Sequence, residues 1–246
     1  MAKRLAGLHW RPKVVFFDLD HTLWDFERNS GEALSQTLHD LDLVGRNGLT
    51  EEAFIRRYHV INDRMWDEYR RGLIEKGELR GRRFEQALAA FSIRENGLAE
   101  RFADRYLTLC PLKQNLVDGA EEVLRAWSGR GPVWLLTNGF SEVQAVKIEN
   151  PGIKPYISGM VTSEEAGAKK PSPEIFRYAL EKAGAEACEA LMVGDDADND
   201  VAAALDAGWA GAVWFNPAGK AHPVADRAGA GEVRSLWELD EFFERE

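Results

Sequence analysis

The sequence contains few cysteines and no long apolar segment. Only two cysteines, Cys110 and Cys188, occur in 246 residues, and they lie far apart in the chain. Such a pair provides neither the disulfide framework of a small secreted domain nor the closely spaced thiols of a zinc site. No uninterrupted apolar run approaches the ~20 residues that a membrane-spanning helix needs. We therefore expect a cytoplasmic protein that does not cross a membrane.

The chain also lacks an excess of positive charge. Its 31 Lys and Arg residues are outnumbered by 41 Asp and Glu residues, which gives a formal net charge of −10. A protein this acidic has no general attraction for nucleic acid polymers or anionic membranes. A small anionic substrate is compatible with this charge, because a metal ion or a cluster of donors reverses the field around a site. The first twelve residues have no apolar core, so we do not expect a secretory signal.

Five short apolar runs have the pattern of strands that are buried on both faces of a parallel sheet. They are Val14–Asp18, Val133–Thr137, Gly159–Thr162, Ala190–Gly194 and Ala210–Phe215. Segments with helical spacing accompany the later runs, and they are Val117–Trp127, Ser141–Glu149, Pro173–Ala183 and Asn199–Ala207. Strands that alternate with helices predict a parallel α/β sheet with right-handed crossovers.

The segment from Asp25 to Pro111 has no strand signal. Its apolar residues recur at three- and four-residue steps, as in Phe54, Tyr58, Ile61, Met65, Tyr69 and Leu73. This spacing predicts amphipathic helices, with breaks near residues 45–50, 72–77 and 92–97. We therefore predict an α/β core of residues 1–24 and 112–246, and a helical cap of residues 25–111 inserted after the first strand. We expect the aromatic residues of this stripe to pack in its core.

Polar side chains follow the predicted strands, where ligands bind in an open parallel sheet. In chain order they are Asp18, Asp20 and Thr22 after the first strand, Thr137 and Asn138 after the second, Lys170 before the fourth, and Asp195 and Asp200 after the fourth. Because the carboxyl ends of parallel strands meet at one edge, we expect these side chains to lie close together.

These residue types suit phosphoryl transfer through a carboxyl phosphate. Asp18 can attack phosphorus, and Mg²⁺ held by carboxylates and a backbone carbonyl can screen the repulsion between Asp18 and the phosphate. Thr137 and the following N–H groups can bind phosphate oxygens, while Lys170 neutralises charge. In an extended strand Asp20 points to the same face as Asp18, where it can protonate the leaving oxygen and then activate water.

The motifs resemble those of the haloacid dehalogenase superfamily. Four matches occur in order: Asp18-Leu19-Asp20-His21-Thr22, Thr137-Asn138-Gly139, Lys170-Pro171, and Gly194-Asp195 with Asp200. One such match alone is a weak signal, but four with the expected strand context are specific. The resemblance implies a Rossmannoid α/β core with an inserted α-helical cap.

The resemblance also implies roles for the motif residues. It implies that Asp18 is the nucleophile and that Asp20 is the general acid and base, with Lys170 beside them. The implied Mg²⁺ ligands are Asp18, the backbone carbonyl of Asp20, and Asp195; the implied phosphate-binding residues are Thr137, Asn138 and Lys170; Asp200 and Thr22 are implied to support the site. In this superfamily an aspartate at the position of Asp20 is typical of phosphatases and phosphomutases, whereas dehalogenases do not need an acid there.

We therefore expect a Mg²⁺-dependent phosphomonoester hydrolase that acts on a small phosphorylated metabolite. Two alternatives are open: a phosphomutase, and a catalytically inactive regulatory protein that has kept the fold. The pattern Asn62-x-x-x-Trp66-x-x-Tyr69-x-x-Gly72-x-Ile74, with Glu78-Leu79-Arg80-x-x-Arg83-Phe84 after it, resembles the caps of pyrimidine 5′-nucleotidases, whose relatives include a sugar-acid phosphatase.

The cap pattern makes nucleoside 5′-monophosphates the first substrate class to consider, and sugar phosphates the second. We expect Trp24, Phe26 or Trp66 to stack on a base and an arginine to contact its polar edge, and we count Asn62 among the residues that choose the substrate. The alternative is that Trp66 packs between cap helices and that the arginines are solvated.

Three neighbours of the motifs are harder to assign. We expect Asp198 to cap the helix that starts at Asn199, and Asp196 can support a metal ligand from behind. His21 is assigned no catalytic role, because this position varies in the family.

Overall fold

The computed structural model describes residues 12–241, with side chains as far as residue 239. This part of the chain forms two compact units. The first unit contains the described residues up to Phe26 together with those from Gln114 onwards, and the second is Glu27–Lys113. Within the described residues, no helix combines the length and the apolar character that a membrane span requires.

The first unit is built on a six-stranded parallel sheet. Its strands are β1 (Val14–Phe17), β2 (Val133–Thr137), β3 (Gly159–Thr162), β4 (Ala190–Gly194), β5 (Gly211–Phe215) and β6 (Ala230–Val233). They lie in the order β3-β2-β1-β4-β5-β6, and every neighbouring pair is parallel. Because β1 lies between β2 and β4, the carboxyl ends of these three strands are adjacent.

All five predicted strands are present, two of them one residue shorter than predicted. The prediction missed β6, whose Gly231 and Glu232 interrupt the apolar pattern. This strand pairs only with β5 at the edge of the sheet, where burial on both faces is not required.

The second unit is helical, as its spacing predicts. Its helices are α1 (Phe26–Asp40), α2 (Glu51–Arg70), α3 (Lys76–Ala89) and α4 (Leu98–Leu109); the first residue of α1, Phe26, still belongs to the first unit. Their aromatic side chains form the core of the unit. For example, the rings of Phe84 and Phe102 lie with centroids 5.4 Å apart, and both are fully buried. Leu73 departs from the predicted stripe and is exposed, because α2 ends at Arg70.

The remaining helices surround the sheet of the first unit. They are α5 (Ala120–Ser128), α6 (Ser141–Lys147), α7 (Ser163–Ala166), α8 (Pro173–Ala183), α9 (Ala203–Asp206) and α10 (Glu238–Glu241). The helix that we predicted from Asn199 is instead a π-helical turn, Ala197–Ala202, which continues into α9. Turns of this kind are frequent at functional sites.

Candidate active site

The predicted site residues of the core lie at the carboxyl ends of β1, β2 and β4. Asp18 follows β1 directly, and its N–H donates to the carbonyl of Val193 on β4 at 2.9 Å. Thr137 is the last residue of β2, and Asp195 follows β4. Adjacent parallel strands therefore bring Asp18 together with residues that lie more than a hundred positions later in the chain.

Lys170 is the buried cation of this edge, with 3% of its surface exposed. Its ammonium group donates to Asp18 Oδ1 at 2.6 Å, to Asp200 Oδ1 at 2.5 Å and to the carbonyl of Leu136 at 2.8 Å. All three of its donors are therefore used. Burial opposes the charge, but the carboxylates of Asp18 and Asp200 raise the pKa of Lys170 above its ordinary value.

The two acids that bind this lysine belong to a cluster of three carboxylates. Oxygen atoms of Asp18, Asp195 and Asp200 lie within 4.8 Å of one another. Burial, with like charge adding to it, raises the pKa of Asp18 and Asp195 to about 6 and that of Asp200 to about 7. One lysine does not balance three acids, and oxygen ligands of this kind suit Mg²⁺. The donor set therefore fits the predicted magnesium ion.

Asp200 supports the site from behind. Oδ1 accepts from Lys170, and Oδ2 accepts from the backbone N–H of Asp196 at 3.1 Å. Gly194 allows this close approach, because a Cβ atom there would lie 2.2 Å from Asp200 Oδ2. Both oxygens of Asp200 are thus occupied by protein donors.

Asp195 is held by two neighbours. The hydroxyl of Thr22, which is fully buried, lies 3.3 Å from Asp195 Oδ1. The indole N–H of Trp214 donates to the backbone carbonyl of Asp195 at 2.9 Å. The structure therefore places Thr22 beside a candidate metal ligand, where we predicted a supporting residue.

Asp20 has a different environment from Asp18. Its Oδ1 accepts from the ammonium of Lys147 at 2.5 Å, and its Oδ2 accepts from the side-chain amide of Gln144 at 2.8 Å. Burial opposes its ionisation, but the charge of Lys147 and the two hydrogen bonds outweigh burial and lower the pKa of Asp20. The chain turns back after Asp20 through His21, whose φ of 66° is in the left-handed region.

Thr137 presents a hydroxyl whose oxygen accepts two hydrogen bonds. One comes from the N–H of Gly139 at 3.0 Å, and the other comes from the amide of Gln144 at 2.9 Å. Gly139 leaves room for Gln144, because a Cβ atom at this position would lie 1.9 Å from its amide nitrogen.

Asn138 uses its side chain to hold the backbone of Lys170. Its amide group donates to the Lys170 carbonyl at 2.9 Å, and its side-chain oxygen accepts from the Lys170 N–H at 2.8 Å. The side chain of Asn138 is therefore occupied in holding the backbone of Lys170, and a contact of this residue with phosphate stays a prediction.

The four residues predicted to choose the substrate lie in different surroundings. Trp24 is fully buried, and the ammonium of Lys147 lies 4.1 Å from its ring centroid. In this structure protein covers the ring of Trp24, and stacking of this residue on a base stays a prediction. Phe26 is half-buried and packs against His21, with ring centroids 4.7 Å apart.

Asn62 and Trp66 lie in the helical unit. The side-chain oxygen of Asn62, which is buried, accepts from Arg83 at 2.8 Å. The ring of Trp66 meets Tyr69 edge-on, with centroids 5.7 Å apart. Arg83 is 4% exposed, so the alternative of solvated arginines is wrong for this residue.

Sequence reasoning missed two residues and misplaced a cap. Gln144 and Lys147, which contact Asp20, were part of a predicted helix and were given no role. The available signal was that these two polar residues lie three positions apart, and so on one helix face, shortly after Thr137-Asn138-Gly139. The cap of the π-helical turn is Asp196, whose carboxylate accepts from the N–H groups of Asp198 and Asn199. Asp198 does not cap this turn, because its own backbone N–H donates to the carboxylate of Asp196.

Comparison with known proteins gives consistent matches over most of the chain. A family model described as haloacid dehalogenase-like hydrolase matches residues 12–208. The chain is 34% identical over 229 residues to pyrimidine 5′-nucleotidase YjjG of Escherichia coli (strain K12), covering 92% of this chain and 96% of that protein. It is 27% identical over 208 residues to pyrimidine 5′-nucleotidase PynA of Streptococcus pneumoniae (strain ATCC BAA-255 / R6), covering 83% and 84%.

A solved structure also matches over almost the whole chain. The HAD-hydrolase YfnB of Bacillus subtilis, crystallised with magnesium, has a TM-score of 0.84 and 25% identity, and the match covers 96% of this chain and 100% of that one. The predicted Rossmannoid sheet with a helical insertion is thus confirmed.

Proposed function

Because this chain belongs to the haloacid dehalogenase-like hydrolases and is a phosphatase of that family, we propose that it hydrolyses nucleoside 5′-monophosphates through a phosphorylated Asp18. The observation that carries the proposal is the buried cluster in which Asp18 lies beside Lys170 and within reach of Asp195. A nucleophilic carboxylate, a fixed cation and a second acid are what phosphoryl transfer through a carboxyl phosphate needs.

In the first step a carboxylate oxygen of Asp18 forms a bond to phosphorus while the ester P–O bond breaks. Asp20 gives a proton to the departing oxygen of the alcohol. Lys170 offsets the charge shared by Asp18 and the phosphoryl group, and the hydroxyl of Thr137 donates to a phosphoryl oxygen.

In the second step Asp20 takes a proton from water, and the resulting hydroxide attacks phosphorus. The bond between phosphorus and Asp18 breaks, which releases inorganic phosphate and restores the carboxylate. Mg²⁺ bound by Asp18, Asp195 and the backbone carbonyl of Asp20 would shield the nucleophile from the negative charge of the phosphate. Asp200 keeps Lys170 in place through both steps.

The nucleotide substrate is supported by the relatives and by the cap. Both curated relatives described above are pyrimidine 5′-nucleotidases. The cap carries the Asn62-to-Phe84 pattern, and in it Asn62 and Arg83 form a buried polar pair. Because this pattern resembles the caps of pyrimidine 5′-nucleotidases, the pair is the first candidate for a determinant of substrate choice.

Phosphate release from a panel of substrates tests the proposal. The panel contains pyrimidine and purine nucleoside 5′-monophosphates, sugar phosphates and p-nitrophenyl phosphate, each assayed with Mg²⁺ and again with EDTA. We expect pyrimidine nucleotides to have the highest kcat/KM, EDTA to abolish turnover, and Asp18→Asn to reduce it by at least about 10⁴-fold. Asp198→Asn is the matched control, because Asp198 is an exposed acid of the neighbouring π-helical turn.

Each contrary outcome has a distinct meaning. Full activity of Asp18→Asn would end the proposed mechanism. Faster turnover of sugar phosphates would replace the nucleotide assignment with the second substrate class. Isomerisation of a sugar phosphate without phosphate release, in the presence of a bisphosphate, would identify a mutase. Absence of turnover across the panel would favour a regulatory protein.

A further inference from the structure

Two residues of helix α6 hold the polar groups that act on the substrate in the proposed reaction. We propose that Gln144 and Lys147 are positioning residues, which together fix the carboxylate of Asp20 and the hydroxyl of Thr137. This inference rests on the proposed phosphatase function and assigns roles to two residues outside the four sequence motifs.

The carboxylate of Asp20 is fixed at both oxygens. Lys147 binds Oδ1 at 2.5 Å, and Gln144 binds Oδ2 at 2.8 Å. The two donors are three residues apart on one helix, so they lie on the same face. With one donor on each oxygen, the plane of the carboxylate cannot rotate freely. A group that must transfer protons along a defined direction needs such restraint.

Lys147 is unusual for a lysine in its degree of burial. It is 4% exposed, and the carboxylate to which it is paired is itself half-buried. Its ammonium group lies 4.1 Å from the ring centroid of Trp24, which adds a cation–π contact. A buried charge carries a desolvation penalty that a surface ion pair does not. This arrangement therefore differs from a solvated lysine that pairs with whichever acid is nearest.

Gln144 determines which way the hydroxyl of Thr137 points. A threonine hydroxyl has one proton and two acceptor positions. The N–H of Gly139 and the amide of Gln144 occupy both acceptor positions. The hydroxyl proton is therefore left to donate, and the group that it suits is an acceptor such as a phosphoryl oxygen.

The orientation of the Gln144 amide supports this role. Its nitrogen serves both Asp20 and Thr137, while its oxygen is buried and has no hydrogen-bond partner among the described residues. Rotation of the amide by half a turn would place that oxygen against the carboxylate of Asp20. The arrangement thus keeps two donor contacts at the expense of one unsatisfied acceptor, which is rare in a protein interior.

A leaving-group comparison separates positioning from mere packing. A nucleoside 5′-monophosphate releases an alkoxide, which needs a proton from Asp20, whereas p-nitrophenyl phosphate releases a stabilised phenolate, which does not. If Lys147 aligns Asp20, then Lys147→Met lowers kcat/KM for the nucleotide by about 10²-fold, the usual contribution of a general acid. The value for p-nitrophenyl phosphate changes little, since kcat/KM reports only the steps up to departure of the leaving group.

Three further variants complete the test. Lys147→Arg keeps the charge, and we expect it to recover most of the lost nucleotide activity. Gln144→Met keeps the size but removes both donors, so it weakens inhibition by inorganic phosphate in addition to the nucleotide defect. Lys154→Met removes an exposed lysine that pairs with Glu149, and we expect wild-type kinetics.

The second step supplies an independent signal. With Asp20 misaligned, hydrolysis of the phosphorylated Asp18 slows, and p-nitrophenyl phosphate gives a rapid burst of phenolate followed by a slower steady state. An equal loss of kcat/KM on both esters, in variants with wild-type melting temperature, would overturn the positioning role. If Lys147→Met does not fold, Gln144→Met and Lys147→Arg decide the question by the same comparison. An inactive wild-type protein would instead overturn the proposed function.

Discussion

Each of the two acids at the end of β1 has its own lysine, and the two environments differ. Asp18 shares Lys170 with Asp200, and burial among other acids raises its pKa to about 6. Asp20 has Lys147 to itself, and its pKa is lowered. Two carboxyl groups whose environments separate their pKa values are typical of a site that divides a reaction between them. The two carboxyl groups therefore differ in environment although only one residue separates them, and their assignment as nucleophile and proton-transfer group rests on the motif positions and contacts.

The raised pKa values of the acid cluster predict a pH-dependent response to Mg²⁺. Asp18 and Asp195 have pKa values of about 6, so in the folded protein they hold protons that the unfolded chain has already lost near pH 4. Without metal, folded stability therefore decreases as pH rises through this window. Metal binding requires the ionised acids and so competes with protons.

We expect Mg²⁺ to raise the melting temperature by several degrees at pH 8 and by much less at pH 5. Differential scanning fluorimetry over this pH range measures the shift, with Ca²⁺-free buffers and an EDTA reference. A shift of equal size at both pH values would show that these carboxyls are not the metal ligands. Asp195→Asn should remove the shift at pH 8.

At the scale of secondary structure, the least expected feature of the cap is a buried arginine, Arg83, on helix α3. Arg83 is buried, and its hydrogen bond goes to the side chain of Asn62 rather than to a carboxylate. Its Nε has no hydrogen-bond partner among the described residues. Rings of Tyr58, Phe84 and Tyr106 surround the guanidinium at 4.9–5.9 Å from their centroids. An unpaired buried cation is costly to the fold, which indicates a functional reason for it.

We predict that Arg83→Met separates stability from activity. Because methionine fills similar space without a charge, the melting temperature should be unchanged or higher, whereas kcat/KM for pyrimidine nucleotides should fall by about tenfold or more. Calorimetry and the phosphate-release assay measure the two effects. Arg82→Met, which removes an exposed arginine paired with Glu78, is the control for both. Loss of stability with unchanged selectivity would assign Arg83 to packing alone.

Elements differ in how far the sequence predicts them. The buried strands and α8 were predictable, because continuous apolar runs and the Pro173 start are strong local signals. Strand β6 was not, since an edge strand with Gly231 and Glu232 has no such run. The contacts that α6 makes with Asp20 were also not predictable from the sequence. A polar residue on a short helix looks solvated, and only tertiary packing determines whether Gln144 and Lys147 face Asp20.

At the scale of the whole molecule, the site depends on the order of strands in the sheet. Asp18, Thr137 and Asp195 are distant in sequence, yet β1 lies between β2 and β4. That convergence was predictable from the strand ends, because parallel strands direct their carboxyl ends to one edge. The partners that tune each acid were less predictable, since Lys147 and Thr22 reach their carboxylates through turns and helix orientation rather than through motif spacing.

The negative charge of the protein and of its site bears on how the site can accept an anionic substrate. The chain has a net charge of −10, and three carboxylates of the site have oxygen atoms within 4.8 Å of one another. A phosphate dianion would be repelled by such a site without an added cation. The balance of charge in the site therefore predicts dependence on Mg²⁺, as the motifs do.

The central claim is that Asp18 carries the phosphoryl group during turnover. The most direct measurement is an acid quench of the wild-type protein during steady turnover with Mg²⁺, followed by reduction with borohydride and peptide mass spectrometry. Our account predicts that Asp18 is converted to homoserine, and that this product is absent without substrate and in Asp18→Asn. Turnover at the normal rate with an unmodified Asp18 peptide at every quench time would contradict it.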